Sequence, residues 1–180
     1  AITLNAIPNE TFSGTGLTSV SIPAKTTSVG QRAFAFCNNL TDITIEDGTE
    51  PLEFAVGYYG VFYYSDATDK NVYVGRNLTY TDGEQLVSNI ATLELGPQLT
   101  TIKNKMFDGS TLTSVKTHWV DALTTCPENA FNSATYSGAT LYVPGGTIDT
   151  YKATDYWNNF TNTTYWSYVV TLTSSAHGKL

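Results

Sequence analysis

The sequence predicts a β-rich repeat solenoid, a right-handed coil of short parallel strands and single helical turns that ends in a C-terminal cap. The main observation is a repeated sequence motif. Phe12 is followed by Leu17-Thr18 and a short alternating strand, and the same order returns with Phe34 and Leu40-Thr41. The Phe-to-Phe step is 22 residues and the Leu-to-Leu step is 23. Self-similarity at a period of about 20 to 50 residues is typical of solenoids, whose units bury their apolar faces by stacking on each other.

Later copies and the composition support the same fold class. The motif returns around Met106-Phe107 and Ala130-Phe131. Thr, Tyr, Val and Gly are plentiful in the chain, and helix formers are scarce. This composition favours short strands and turns over long helices. A chain of 180 residues is also long enough to form a single domain that buries about two-thirds of its unfolded surface.

Period-2 alternation separates inward from outward side chains in six predicted strands. The inward residues are Val20 and Ile22, Ile43 and Ile45, Val72 and Val74, Leu93 and Leu95, Val115, and Leu141 and Val143. The outward residues are Ser19 and Ser21, Asp42 and Thr44, Asn71 and Tyr73, Thr92 and Glu94, Ser114 and Lys116, and Thr140 and Tyr142. We expect the outward residues to share one parallel-sheet face, the surface with which solenoids usually bind.

Proline residues mark the turns between these strands. Pro23 ends its strand because it cannot donate to a ladder, and Thr27–Gly30 could then form a second short strand on the opposite side. Pro8 and Pro127 each begin a segment that resembles a single helical turn and leads to Phe12 or Phe131. We interpret these two segments as structural equivalents.

The middle of the array is irregular. The segment from Phe54 to Tyr64 contains six aromatic residues, counting both ends. Phe62 is our choice for the missing Phe of the third repeat because a strand follows at a workable distance. Asp82-Gly83 lies between two apolar stretches and predicts a two-residue hairpin that projects from the array.

The chain changes character after Pro144. Thr147 is a candidate N-cap for a short helix, and Trp157 and Phe160 supply the apolar surface that a terminal cap needs. We therefore predict a solenoid over residues 1–163, with an irregular repeat at 46–90 and a cap at 144–163. Residues 164–180 alternate like a strand and could begin a further domain.

The charge and the hydrophobicity of the chain exclude two classes of partner. The net charge is −7 and no cluster of Lys or Arg is present, which argues against nucleic-acid binding. No apolar run approaches the roughly 18 residues of a membrane span, so we expect no direct membrane insertion.

Cys37 and Cys126 would lie more than about 7 Å apart in stacked repeats, and we predict two free thiols. We also expect a monomer.

The sequence offers little for catalysis or for cofactor binding. His118 and His177 are the only histidines, and a solvated surface position is the preferred interpretation of His118. The acidic stretch 46–50 and the pair Asp66 and Asp69 lack the spacing of a calcium loop. We expect no cofactor, no metal and no catalytic residue.

Two segments resemble a known family. Residues 28–45 match the repeat of the BspA-like leucine-rich-repeat proteins of bacterial cell surfaces nearly throughout. Residues 141–144, with Tyr151, Trp157 and Phe160, look like that family's terminating segment. The resemblance covers roughly residues 7–163. It implies a leucine-rich-repeat-like coil in an exported protein on the outer cell surface, without a catalytic motif. Some family members adhere to host matrix proteins or to other bacteria.

The preferred functional hypothesis is a non-enzymatic extracellular module that binds a protein partner in adhesion. The alternatives are a carbohydrate-binding accessory domain of a surface glycan-capture system, which would use Tyr58, Tyr59, Tyr73 and nearby acids, and a passive structural spacer. Exposed tyrosines suit recognition because they give a large contact area at low entropic cost. The candidate binding residues are Asp42, Thr44, Asn71, Tyr73, Glu94, Lys116, His118, Tyr142, Tyr58 and Tyr59.

Overall fold

The computed structural model describes residues 5–56 and 60–166. Its strands are β1 (Ala6–Ile7), β2 (Ser19–Ile22), β3 (Ser28–Val29), β4 (Asp42–Ile45), β5 (Leu52–Phe54), β6 (Lys70–Arg76), β7 (Leu78–Thr79), β8 (Ile90–Gln98), β9 (Ser114–Thr117), β10 (Thr140–Val143) and β11 (Asn162–Tyr165). Its helices are α1 (Ser133–Gly138), α2 (Ile148–Ala153) and a 3₁₀ helix (Trp157–Asn159). Within these residues the coil builds a seven-stranded sheet of order β11-β10-β9-β8-β6-β4-β2 and a four-stranded sheet of order β1-β3-β5-β7. Neighbouring strands are parallel, so the predicted solenoid is confirmed.

The larger sheet stacks equivalent positions of successive repeats. Val20 pairs with Ile43, and the same register continues through Val72 and Leu93 to Val115. The inward side chains predicted from alternation are buried, except that Val20, on the outermost strand, is partly buried against the core. The inward assignment is therefore confirmed, because a stacked sheet can keep its apolar side chains dry only in this register.

A column of aromatic rings fills the turn side of the core. Phe12 stacks on Phe34 with ring centroids 5.2 Å apart, and Phe34 stacks on Phe62 at 5.7 Å. The choice of Phe62 for the third repeat is thus confirmed. Phe107 and Phe131 continue the column at 5.3 Å.

The predicted hairpin at Asp82-Gly83 is wrong. Asp82-Gly83 forms a turn, but β7 before it pairs in parallel with β5, and Leu86 after it lies buried outside any strand. The backbone N–H of Leu86 donates to Met106 O at 3.0 Å, as the N–H of Phe12 donates to Ala33 O at 2.8 Å. Leu86 therefore takes the place of the repeat's Phe, and burial of this side chain outweighs the local hairpin signal.

The smaller sheet and the proline turns follow the prediction with one difference. Ser28–Val29 forms the expected second strand and pairs with β1 and β5. Pro8 and Pro127 both precede turns closed by bonds across three residues, such as Ala130 N to Pro127 O at 3.0 Å. Neither turn is regular helix. The first is followed by coil that leads to β2, and the second is followed by α1.

The cap forms as predicted, but its helix begins differently. The Thr147 hydroxyl donates to Pro144 O at 2.8 Å and makes no N-cap bond to α2. Tyr151, Trp157 and Phe160 are buried and close the last coil. A helix that was not predicted, α1, precedes β10. Asn132 caps it by accepting a hydrogen bond from Thr135 N at 2.8 Å.

A strand also follows the cap. Asn162–Tyr165 pairs in parallel with β10 and extends the larger sheet. The predicted strand-like tail therefore begins a little before residue 164, and its first residues continue the solenoid. The remainder of that tail, 167–180, and with it His177, lies outside the described residues.

Both cysteines are free, as predicted, and both are buried. Cys37 lies inside the second repeat's turn, where its Sγ donates to Phe12 O at 3.2 Å. Burial raises the pKa of the Cys126 thiol to about 12. Both thiols are buried, so neither has the solvent exposure of a reactive cysteine.

A buried arginine joins three repeats. Arg76, at the end of β6, is 1% exposed. Its guanidinium donates to Pro23 O at 2.9 Å, to Ala24 O at 2.8 Å and to Glu50 O at 3.4 Å. Gly48 leaves room for it, since a Cβ there would lie 3.0 Å from Arg76 Cδ. The irregular repeat is thus tied to the coil that precedes it.

Candidate functional site

The outward side of the larger sheet carries two rows of mainly polar side chains. Strand register aligns one row as Ser19, Asp42, Asn71, Thr92, Ser114, Thr140 and Asn162. It aligns the other as Ser21, Thr44, Tyr73, Glu94, Lys116, Tyr142 and Thr164. We call these two rows the sheet face. Seven of the ten predicted site residues lie on it, because parallel pairing in register carries the outward direction of each strand to the next.

The centre of the sheet face is a shallow trough of about 410 Å³. It extends across five strands, from Asp42 on β4 to Tyr142 on β10, and Trp166 closes one side. Among the polar residues that line it are Thr44, Asn71, Tyr73, Thr92, Glu94, Ser114 and Lys116. The trough therefore brings together side chains that are about 100 residues apart in the chain.

A chain of hydrogen bonds fixes one end of the trough. Asp42 Oδ1 accepts from Asn71 Nδ2 at 3.0 Å, and Asn71 Oδ1 accepts from the Thr92 hydroxyl at 2.5 Å. The Thr41 hydroxyl donates to Asp42 Oδ2 at 2.8 Å. The hydrogen bonds from Asn71 and Thr41 lower the pKa of Asp42. Asp42 is thus an exposed carboxylate whose orientation is set by its neighbours.

An ion-pair cluster forms the other end of the trough. Glu94 Oε1 lies 2.9 Å from Lys116 Nζ and 2.6 Å from His118 Nε2. Lys116 Nζ also lies 4.4 Å from the centroid of the Trp166 ring, and His118 packs on the same ring at 5.1 Å. Trp166 is held by its Nε1–H, which donates to Thr117 O at 3.1 Å. These contacts join cation, carboxylate and indole in one connected group.

His118 and Trp166 differ from expectation. His118 follows β9 and its side chain is only 24% exposed, so it is less solvated than the interpretation of the sequence suggested. The sequence analysis did not include Trp166 in the site. Its position depends on β11 pairing in register beyond the cap, and alternation alone contains no signal for that.

The electrostatics of the cluster predict acid sensitivity. Burial raises the pKa of Glu94, but hydrogen bonds and charges from His118 and Lys116 outweigh it and lower the pKa below the usual 4.5. A carboxyl with a lowered folded pKa stabilises the fold above its unfolded pKa, and this stabilisation disappears as the pH falls through the folded pKa. We expect urea midpoints to decrease with pH below about 4.5, and Glu94→Gln to flatten this dependence. Equal slopes for the native chain and Glu94→Gln would contradict the prediction.

Tyr73 is anchored as well. Its hydroxyl donates to Asp47 Oδ1 at 2.8 Å. Burial, this hydrogen bond and the charges of Asp47 and Glu94 raise the pKa of Tyr73. Gly96 makes the arrangement possible, since a Cβ there would come within 2.7 Å of Asp47 Oδ1 and would also collide with the Tyr73 hydroxyl. Tyr73 therefore presents a ring of fixed orientation to the trough.

The repeats of this sheet match a known protein family. The model of the BspA type leucine rich repeat region matches residues 5–138 in six copies. The chain belongs to the BspA-type leucine-rich-repeat family. The resemblance indicated by residues 28–45 is therefore confirmed.

One solved structure similar to this BspA-type chain is that of a leucine rich cell surface protein from Faecalibacterium prausnitzii A2-165. The two are 16% identical with a TM-score of 0.33, and the match covers 92% of this chain and 52% of that one. The BspA-type chain thus spans about half the length of that solved protein. Comparison with curated proteins finds no match.

Two candidate residues of the BspA-type chain, Tyr58 and Tyr59, lie outside the described residues. The rest of the aromatic run divides between core and surface. Phe54 and Phe62 are buried, whereas Tyr64 is exposed. Part of the run therefore fills the core, and part of it is available at the surface.

The described residues offer neither a metal site nor a membrane-spanning helix. Across residues 5–56 and 60–166 of this BspA-type chain, no group of three or more His, Cys, Asp or Glu side chains could hold a metal ion. In the acidic stretch, Glu46 accepts hydrogen bonds from Ser21 Oγ at 2.9 Å and Ala24 N at 3.1 Å. The helices in the described part of the chain are too short or too polar to cross a membrane.

Proposed function

We propose that this BspA-type chain is a non-enzymatic interaction module of the outer cell surface, which binds a protein partner through the sheet face in adhesion. The observation that carries the proposal is the trough, where seven predicted residues from neighbouring repeats line one shallow surface. Parallel-strand solenoids present extended faces of this kind to their partners. Family membership supports both the interaction role and the surface location.

Preorganisation of the sheet face favours binding. Asp42, Asn71 and Thr92 are joined by hydrogen bonds, and Glu94, Lys116 and Trp166 are held in the cluster described above. Side chains that are ordered before the partner arrives lose little conformational entropy on association. The contacts that fix these groups therefore serve recognition as well as the fold.

The chemistry of the trough indicates what kind of partner fits. Tyr142 and Trp166 line its β10 side, and aromatic residues of this type are frequent energetic anchors in protein interfaces. Asp42 supplies an oriented carboxylate at the opposite end. We propose a partner with an apolar side chain that packs on the aromatic end and a Lys or Arg that reaches Asp42.

A binding screen with matched variants tests the proposal. The chain is passed over immobilised host matrix proteins and surface proteins of other bacteria, together with Tyr142→Ala, Asp42→Ala and the control Tyr165→Ala. Tyr165 is 59% exposed and does not line the trough. For a protein that binds, we expect Tyr142→Ala and Asp42→Ala to weaken affinity about tenfold or more, with Tyr165→Ala unchanged.

Two results would contradict this proposal. Equal affinity of the native and Tyr142→Ala chains for the partner would show that the binding site is not on the sheet face. Failure to bind any protein on the panel would favour the passive spacer, since the trough would then be an unused surface.

A further inference from the structure

A second surface lies on the turn side of the coil. Phe36, Tyr63 and Tyr64 form a group of rings that we call the aromatic platform. Phe36 and Tyr64 are nearly parallel, with an interplanar angle of 9° and centroids 6.0 Å apart. Tyr63 meets both edge-on, at 5.9 Å from Phe36 and 4.5 Å from Tyr64. Phe36 is 47% exposed and Tyr64 is 57% exposed, so the core does not need these two rings.

The backbone of the platform is strained. Phe36 has φ of 57° and Tyr64 has φ of 48°, in the left-handed region. The hydrogen bonds Gly14 N to Ala35 O and Phe36 N to Tyr63 O make Gly14, Phe36 and Tyr64 equivalent positions of successive repeats. Gly14 adopts φ of 70° without a Cβ penalty, whereas an L-residue there loses about 1–2 kcal/mol. Phe36 and Tyr64 thus place exposed aromatic side chains at a turn position that glycine adopts with less strain.

The rings are also held in place. The Arg32 guanidinium lies 4.9 Å from the centroid of the Tyr63 ring, and Arg32 pairs with Glu10 at 3.8 Å. Tyr63 in turn supports the two exposed rings edge-on. The platform therefore presents a preformed apolar surface, which lowers the entropic cost of binding.

A polar trough adjoins the platform. It encloses about 420 Å³ beside Tyr63 and Tyr64, within the range of small-ligand sites. Its polar lining includes Glu84, Gln85, Lys105 and Asp108. Gln85 lies over Gly109, where any Cβ would collide with its amide. Hydrogen-bonding side chains of positive, negative and neutral charge thus lie next to exposed aromatic rings.

We propose that the aromatic platform and this trough bind a carbohydrate chain. A pyranose ring has an apolar C–H face that packs on an aromatic ring, and its hydroxyls both donate and accept. Tyr64 and Phe36 would take the apolar faces. Glu84 and Asp108 would accept from hydroxyls, while Lys105 would donate. The lining of this trough is more polar than that of the trough on the sheet face, which favours a hydroxyl-rich glycan over the apolar anchor of a protein partner.

This site differs from the one that the sequence suggested for glycans. Tyr73 lies on the sheet face, and Tyr58 and Tyr59 lie outside the described residues. The carbohydrate hypothesis therefore moves to Phe36, Tyr63 and Tyr64. It is independent of the protein-binding role of the sheet face, and each can fail without the other.

Glycine substitutions give a sharp test. A panel of soluble neutral and acidic oligosaccharides is titrated into the chain at millimolar concentrations and followed by NMR and calorimetry. For an oligosaccharide that binds, we expect Phe36→Gly and Tyr64→Gly each to weaken affinity about tenfold or more. The melting temperature should stay equal or rise, because glycine relieves the left-handed strain and already occupies the equivalent position 14.

Controls separate this site from the sheet face. Tyr165→Ala, which removes an equally exposed ring elsewhere, and Tyr142→Ala on the sheet face should both leave glycan affinity unchanged. The proposal is overturned if no oligosaccharide of the panel binds, or if the glycine variants bind as well as the native chain. It is also overturned if the glycine variants melt at lower temperature, which would show that the rings support the fold, or if the platform is found to bind a protein.

Discussion

Replacing Trp157 by alanine is expected to lower the free energy of unfolding by about 3–5 kcal/mol, the range for large aromatic residues in a packed core. Trp157 is 1% exposed and sits at the centre of the cap. Its ring contacts Trp119 at 5.8 Å, Tyr151 at 5.5 Å and Phe131 at 6.1 Å, and its Nε1–H donates to Leu123 O at 2.9 Å. Alanine would leave a large cavity and remove the donor of the partly buried Leu123 carbonyl.

Thermal and urea unfolding measure this effect. For a domain of this size the loss corresponds to a decrease in melting temperature of roughly 6–20 °C. Trp157→Phe keeps a ring but not the N–H donor, and should lose clearly less than Trp157→Ala. Asn158→Ala, at the exposed neighbouring position, should change stability by no more than about 0.5 kcal/mol. If Trp157→Ala unfolds like the native chain, the cap does not hold the last repeats in place.

The position of the change also matters. Because a solenoid repeat contacts mainly its neighbours, losing the cap exposes the last coil before it affects the first ones. Hydrogen exchange should therefore increase first in β10 and β9, and least in β2 and β4. Uniform loss of protection along the chain would show instead that all repeats unfold as one unit.

The solenoid and the sheet face could be predicted because both depend on periodicity. Inward residues such as Ile43 and Val72 follow from alternation, and stacking then brings Asp42 beside Asn71. Local signals were less reliable where tertiary packing competes with them. Asp82-Gly83 has the sequence of a hairpin turn, but the core needs an apolar side chain at Leu86.

Contacts that join distant segments had no signal in the sequence. Trp166 joins the trough only because β11 continues the sheet after the cap. The strain at Phe36 and Tyr64 depends on turn geometry that residue type does not indicate. The same limit applies to Arg76, whose carbonyl partners lie 26 to 53 residues earlier in the chain.

Arg76→Met is expected to destabilise the chain by about 3 kcal/mol, because hydrogen bonds from a charged donor contribute about 1.5–3 kcal/mol each and are only partly replaced by water. The side chain is 1% exposed and donates to the carbonyls of Pro23, Ala24 and Glu50. Arg76→Lys should recover only part of this loss, since an ammonium cannot reproduce the planar fork that reaches separate carbonyls. Lys25→Ala, an exposed cation near the same turn, should stay within about 0.5 kcal/mol of the native chain.

Urea unfolding of these variants shows whether Arg76 or the strands hold the irregular repeat. The step from Ile43 to Val72 is 29 residues, longer than the 23 residues from Val20 to Ile43. The additional residues do not form a repeat, so other contacts must hold them against the coil. If Arg76 ties it, hydrogen exchange should increase in Arg76→Met at residues 48–52 before it increases in β4 and β6. If Arg76→Met is as stable as the native chain, water satisfies the three carbonyls and strand pairing alone accommodates the insertion.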